Sequence, residues 1–169
     1  MARICIVLSG QLGNAPRTVK EAGALSAAGH DVTVIAHQRD DVVELRDQDI
    51  LRTATWRTIR VRFDRSMRWK WLRLRQLALQ HMFGVTRESS LALRGISAYT
   101  PDLTRAALSS PADLYIAHYS PALPAAAHAA AKHGALYAFD AEDFHPGDLP
   151  DEQSNGLYNR TLEALERRL

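Results

Sequence analysis

Several features typical of secreted or membrane-spanning proteins are missing from this sequence. Its 169 residues include one cysteine, Cys5, which excludes an intramolecular disulfide scaffold. No window approaches the ~18 consecutive apolar residues of a membrane-spanning helix, and the short N-terminal apolar run has no signal-peptide cleavage site. Internal repeats are absent, and the alanines of 125–131 are helix-forming residues. The sequence therefore predicts one soluble, cytoplasmic globular domain over 1–169.

Basic residues are concentrated in one part of a chain whose net charge is only +2. Residues 57–75 contain eight of the 21 lysines and arginines and one acid, which leaves 13 basic and 18 acidic residues elsewhere. Cations alternate with aromatic residues in "RWKW" (68–71), which favours contact with an anionic membrane surface. We assign that surface to Arg68, Trp69, Lys70, Trp71, Arg73 and Arg75. The alternative is an ordinary helix with solvated arginines, and no nucleic-acid-binding motif accompanies the charge.

The basic segment continues into a helical pattern over 67–83 with two apolar stripes. One stripe consists of Met67, Trp71, Leu74, Ala78 and Met82, and the other of Leu72, Leu79 and Phe83. We expect one stripe to pack on a sheet and Trp69 to stay exposed with the cations.

Strand patterns alternate with helical patterns along the chain. Strands are predicted at 3–8, 31–36, 58–63, 113–118 and 135–140, with helices after most of them and no clear pattern at 84–99. This order predicts parallel pairing through βαβ units. The fold class is therefore α/β, a doubly wound, Rossmann-like parallel sheet with helices on both faces. The alternating strand 58–63 is expected at its edge.

The last helical pattern places Tyr158, Leu162, Leu165 and Leu169 on one face and contains no stop signal. This predicts that the sequence is one domain taken from a longer protein. A natural chain end inside a frayed helix is the alternative.

Ligands of doubly wound sheets bind beyond the carboxyl ends of the strands, where the strand order reverses. This rule selects the loops 9–16, 118–121 and 140–148. In the first loop, "GQLGNAPR", Gly10 and Gly13 would let an anion or a sugar hydroxyl approach the helix N-terminus. Asn14 is a candidate helix cap and Arg17 a charged donor. The alternative is a loop that only turns the chain.

The first loop does not fit a dinucleotide or a phosphate-loop site. Its glycine spacing matches neither G-x-G-x-x-G nor G-x-x-x-x-G-K-[ST]. The second strand ends in Ala36 and His37, where an acid that binds ribose would be expected. A nicotinamide cofactor is therefore excluded, and His37 is interpreted as a turn or surface residue.

The other two loops contribute a histidine and a group of acids. His118 ends a strand, where an imidazole can exchange a proton near neutral pH, so it is our candidate catalytic residue. The acidic loop "DAEDFHPGDLPDE" contains six carboxylates and His145. Asp140, Glu142 and Asp143 are candidate substrate-binding residues within it. The loop matches no metal-binding pattern, so we predict no metal site.

Two stretches resemble the family 4 (group 1) glycosyltransferases of the GT-B fold. The stretch "APRTVKEAGALSAAGHDVTVIA" is similar to the family's opening, pRv-x-x-A-x-x-L-x-x-x-GH-x-V-x-V. The later stretch "DLYIAHYSPALPAAAHAAAKHGALYAFDAED" is similar to its D-x-x-HaH…yDaHE region. The two stretches also occur in the same order as in that family. His118 and Asp140 match the family's strand-end histidine and DaHE aspartate, whereas the His-Glu pair is replaced by Glu142 and Asp143.

The resemblance implies a two-domain enzyme that transfers a sugar with retention of anomeric configuration. The N-terminal domain of such enzymes binds the acceptor, here a sugar or a lipid-linked acceptor. Their C-terminal domain, which is not part of this sequence, holds a UDP-, GDP- or ADP-sugar donor. This chain is therefore expected to bind no cofactor or metal and to be inactive alone. The basic segment described above adds the expectation that it works in the cytoplasm at the inner face of a membrane.

Two other readings of the sequence remain open. "DAED" could be the metal-binding motif of a GT-A glycosyltransferase, and manganese dependence would favour that enzyme. Alternatively, the chain could be a non-enzymatic module that docks on a membrane or a protein through 57–83.

Overall fold

The computed structural model describes residues 1–63, 66–141 and 156–168, without the side chains of Tyr158 and Glu166. Five parallel strands form one sheet in the order β3-β2-β1-β4-β5. The strands are β1 (Arg3–Leu8), β2 (Asp31–Gln38), β3 (Arg57–Arg62), β4 (Leu114–His118) and β5 (Leu136–Asp140). This confirms the predicted α/β fold, with β3 at an edge. Neighbouring β1 and β4 mark the point where the strand order reverses.

Seven α-helices are described in the same ranges. They are α1 (Pro16–Ala27), α2 (Asp41–Thr53), α3 (Met67–Thr86), α4 (Ser89–Gly95), α5 (Thr100–Leu108), α6 (Leu123–His133) and α7 (Leu157–Arg168). Short 3₁₀ turns at Leu12–Asn14 and Ser120–Ala122 precede α1 and α6. No described helix is long and apolar enough to cross a membrane.

The central strands are buried on both faces, as their nearly continuous apolar runs predict. Ile4, Ile6 and Leu8 of β1 belong to one core cluster, which includes residues of α1 and α2. Cys5 and Val7 belong to the opposite cluster, which includes residues of α5, α6 and α7. Helices therefore cover both faces of the sheet, and the loops at the carboxyl ends of the strands form the rim that can hold a ligand.

The long basic helix α3 does not pack as predicted. Its Leu79 and Phe83 are buried against Leu91 and Ala92 of α4, in a small cluster that also includes residues of α7. The other stripe faces outward, with exposed Met67, Trp71, Leu74 and Met82. Because the stripe with Leu79 and Phe83 packs against α4 and α7, the other apolar stripe of α3 faces solvent.

Candidate functional site

A cleft of about 520 Å³ opens at the carboxyl ends of β1, β2 and β4. It lies at the reversal of strand order, where ligands of such folds bind. The cleft is lined by Ser9, Gly10, Gln11, Asn14, Ala15, His37, Arg39, Asp40, Val43, Ser97, Tyr99, Tyr119 and Pro121. Two of the predicted substrate-binding residues, Gly10 and Asn14, are among them. The wall combines hydroxyl, amide and carboxylate groups with two tyrosine rings, which are groups suited to bind a sugar.

Gly13 has a different role from the predicted one. A Cβ atom at this position would come within 2.9 Å of Arg46 Cβ and 3.1 Å of Asp47 Oδ1, so Gly13 lets the loop pack closely against α2. At Gly10, by contrast, the nearest atoms to an added Cβ would be 3.6 Å or more away. Gly13 is therefore required for the close packing of the loop against α2. Of the two glycines, only Gly10 lines the cleft, where a ligand could approach it.

The predicted cap of α1 is also displaced by one residue. Ala15 occupies the N-cap position without a side-chain cap, and Asn14 ends the 3₁₀ turn before it. Asn14 is exposed at the cleft, so its amide is available to a ligand.

A buried carboxylate on α2 fixes the first loop. Asp47 is 0% exposed and accepts a hydrogen bond of 2.7 Å from the backbone N–H of Gly13. Its other oxygen lies 2.6 Å from Arg60 Nη2 of β3, and the same guanidinium pairs with Glu44 at 2.7 Å. Gln11 adds a long hydrogen bond to Asp47. The loop after β1 is therefore held by a charged network that sequence reasoning did not find.

Three predicted residues meet beside the cleft, at the ends of β4 and β5. His118 Nδ1 lies 3.5 Å from Asp140 Oδ2, and Arg17 Nε lies 3.3 Å from the same oxygen. Glu21, which was missed, lies 2.6 Å from His118 Nε2. Glu21 could have been predicted from its position four residues after Arg17, because that spacing puts both side chains on one face of α1.

The imidazole of His118 is completely buried, with a carboxylate facing each ring nitrogen. Its hydrogen bond is to Glu21, its Nδ1 has no hydrogen-bond partner in the described structure, and the ring does not line the cleft. Its assignment as a catalytic residue stays a prediction.

The end of β2 contributes His37, which sequence reasoning had placed on the surface, and Arg39, which it had not considered. His37 is not a surface residue: it is 6% exposed, and its pKa is lowered to about 4 by burial and by the nearby charge of Arg39. The ring packs edge-on against Tyr99, with centroids 5.0 Å apart. Arg39 reaches the cleft, and its guanidinium lies over the rings of Phe63 and Tyr99. The prediction for His37 was wrong because the strand continues to Gln38, two residues beyond its predicted end, and therefore includes His37.

Tyr119 follows His118 in an unusual backbone conformation. Its φ is 65° and its ψ 143°, a region that residues with a side chain rarely adopt. Such strain costs about 1–3 kcal/mol and is found mainly at functional sites. It supports a binding role for the cleft, whose wall includes the Tyr119 ring.

Glu142, Asp143 and His145 lie outside the described residues. Within the described ranges, no group of three or more His, Cys, Asp or Glu side chains is arranged to hold a metal ion.

Some of the predicted membrane-surface residues contact other side chains of the protein, and the others are exposed on α3. Trp69 is not on the exposed face, because its ring packs edge-on against Phe63 at 5.5 Å. Arg68 pairs with Asp102, and Arg73 donates a hydrogen bond to Gln76. Lys70, Trp71 and Arg75 are exposed, beside the outward apolar stripe of α3.

Comparison with known protein families identifies the chain. Residues 13–169 match the model of the glycosyl transferase 4-like domain. The chain belongs to this family. The match covers most of the chain, so the resemblance seen in the sequence to a glycosyltransferase 4-like domain is confirmed.

Solved structures agree with the family assignment at the level of the fold. The glycosyltransferase SsfS6 of Streptomyces sp. SF2575 is similar over 100% of this chain, with a TM-score of 0.51 and 17% identity. UGT89C1 of Arabidopsis thaliana, solved with UDP-L-rhamnose, matches 95% of the chain with a TM-score of 0.48 and 17% identity. The chain spans 45% and 42% of their respective lengths. No curated protein sequence matches. The fold is that of a GT-B half, which argues against the GT-A alternative.

Proposed function

We propose that this glycosyl transferase 4-like domain is the acceptor-binding half of a retaining glycosyltransferase. The observation that carries the proposal is the cleft at the reversal of strand order, with its polar wall and two tyrosines. A second domain would hold the nucleotide-sugar donor, with UDP, GDP or ADP as the leaving group. The acceptor, a sugar or a lipid-linked sugar, enters the cleft from the outer rim.

Different residues of the cleft bind different parts of a polyhydroxylated acceptor. The Asn14 amide and the neighbouring polar groups hydrogen-bond hydroxyls, while Tyr99 and Tyr119 provide apolar ring faces for the sugar. Arg17 and Asp140 form an ion pair beside the cleft, where the donor phosphates would approach. The buried His118, which is hydrogen-bonded to Glu21, lies next to this pair. Together these groups orient one hydroxyl of the acceptor toward the donor.

Replacement of Asn14 by alanine tests the acceptor role in the longer polypeptide that carries the second domain. Loss of a hydrogen bond of about 1.4 kcal/mol raises the KM for the acceptor about tenfold. The KM for the nucleotide sugar stays unchanged, and the product retains the donor's anomeric configuration. Ser109→Ala, in a cavity at the amino ends of the strands, is the matched control. A rise in the donor KM alone would instead assign the cleft to the donor, and an inverted product would exclude retention.

We also propose that the exposed face of α3 docks on an anionic membrane at the cytoplasmic side. Exposed apolar and basic side chains occur together on this helix. Trp71 and Met67 are each 67% exposed and Leu74 is 57% exposed. Lys70 and Arg75 lie on the same helix and are exposed as well. Apolar side chains inserted at the headgroup level and cations beside them are the features of a membrane-surface helix.

Removal of this face is expected to release the chain from anionic vesicles. The double variant Trp71→Ser/Leu74→Ser lowers binding to vesicles of phosphatidylcholine with 30% phosphatidylglycerol at least tenfold, on the order expected from the lost apolar area. Val42→Ser/Leu45→Ser on α2 is the matched control, because those side chains are 69% and 66% exposed. Co-sedimentation measures both. Equal losses in the two variants, or no binding by the unaltered chain, would refute a docking role for α3.

A further inference from the structure

Arg39 lines the cleft, and its guanidinium lies over two aromatic rings. Its guanidinium carbon lies 5.5 Å from the centroid of the Phe63 ring and 5.9 Å from that of Tyr99. The two rings pack edge-on against each other at 5.2 Å, so they form a rigid aromatic support. A cation that rests on aromatic faces keeps its N–H groups free to bind an anion at the rim of those rings.

The carboxylates near Arg39 are engaged with other groups. Asp40 caps α2 by accepting a hydrogen bond of 2.9 Å from the backbone N–H of Val42. Asp102 pairs with Arg68 and Arg105, and Glu44 with Arg60. Among the described residues, Arg39 forms no ion pair. The cleft therefore has a positioned positive charge without a protein counterion in the described ranges.

The other side chains that line the cleft carry one charge besides that of Arg39. His37 lies close enough to Arg39 for that charge to lower its pKa, and the imidazole is neutral at pH 7. Asp40 contributes a carboxylate, one oxygen of which accepts the hydrogen bond from the Val42 N–H at the start of α2. A ligand in the cleft would thus meet one cation, Arg39, and one carboxylate that is already engaged with a helix N-terminus, among neutral groups such as Tyr99 and Ser97.

We propose that the acceptor carries an anionic oxygen group, a phosphate or a carboxylate, and that Arg39 binds it. This inference rests on the proposed acceptor role of the cleft. The planar guanidinium pairs with two oxygens of either group, and the hydroxyls of the same acceptor bind to the Asn14 side. Arg39 is then a specificity-determining residue that distinguishes charged from neutral acceptors.

Binding to the 169-residue chain tests this inference without turnover. Three sugars of increasing charge serve as probes: glucose, glucuronate and glucose 6-phosphate. Their affinities are measured from the backbone amide resonances of Gly10, Asn14 and Tyr99. We expect both anionic sugars to bind at least tenfold more tightly than glucose. Arg39→Gln removes that difference, whereas Arg62→Gln, an equal loss of charge at the exposed end of β3, preserves it.

The remaining outcomes separate the two proposals. If the anionic sugars bind no better than glucose, or bind equally well to Arg39→Gln, the anionic acceptor is refuted and the acceptor cleft stands. If none of the three sugars shifts these resonances, both this inference and the acceptor role of the cleft are refuted.

Discussion

Replacement of Asp47 by alanine is expected to lower the free energy of unfolding by about 3–5 kcal/mol, the usual cost of removing one partner from a buried ion pair. Asp47 is 0% exposed, and it binds both the Gly13 N–H and the Arg60 guanidinium. Its loss leaves Arg60 with Glu44 alone and leaves the Gly13 N–H without its carboxylate acceptor. The loop after β1 then loses its attachment to α2, so binding in the cleft weakens together with stability.

Urea unfolding of three variants separates the charge of Asp47 from its hydrogen bonds. Asp47→Asn retains an acceptor for Gly13 and should cost less than Asp47→Ala. Glu44→Ala removes the other carboxylate bound to Arg60, whose side chain is 17% exposed, and should cost the least. A loss below 1 kcal/mol in Asp47→Ala would contradict the role assigned to this network.

Acidification from pH 7 to pH 4 is expected to destabilise the folded chain by about 3 kcal/mol through His37 alone. Burial lowers the pKa of His37 from 6.5 to about 4 in the folded state. The unfolded chain therefore binds a proton below pH 6.5 that the folded chain does not bind until about pH 4. This contribution to stability is complete above pH 6.5 and is lost as the pH falls toward 4.

The His37→Gln variant identifies the residue responsible. Its free energy of unfolding should depend less steeply on pH between 6.5 and 4 than that of the unaltered chain. His128→Gln, at an exposed position on α6, should leave the dependence unchanged. Identical pH profiles for the His37 variant and the unaltered chain would show that His37 is not buried in its neutral form.

Four strands were predictable as short apolar runs between turn residues and β3 as an alternating one, and their parallel pairing followed from the βαβ pattern. Helix α2 was not predicted, and the structure gives the reason. Its only fully buried side chain is the charged Asp47, which interrupts the inward apolar positions, while Val42 and Leu45 face solvent, so the helical apolar spacing is weak. In α3 both stripes have helical spacing, and only contact with α4 and α7 decides which one is buried.

The sequence indicated the loops of the candidate site more closely than its residues. The topological rule selected the loops after β1 and β4, which line the cleft, and Arg17, His118 and Asp140 lie together beside it. It could not show that Gly13 serves packing on α2, because α2 itself was not predicted. Nor could it find Arg39, whose role depends on Phe63 and Tyr99, residues distant in sequence that meet only in the fold.

The central claim is that the cleft binds an acceptor and that the donor binds elsewhere. Amide chemical-shift mapping of the 169-residue chain tests it most directly, with titrations of UDP-, GDP- and ADP-glucose and of glucuronate. We expect glucuronate to shift the resonances of Gly10, Asn14 and Tyr99, and none of the nucleotide sugars to do so at comparable concentration. Saturable binding of a nucleotide sugar at these residues, with no response to glucuronate, would contradict it.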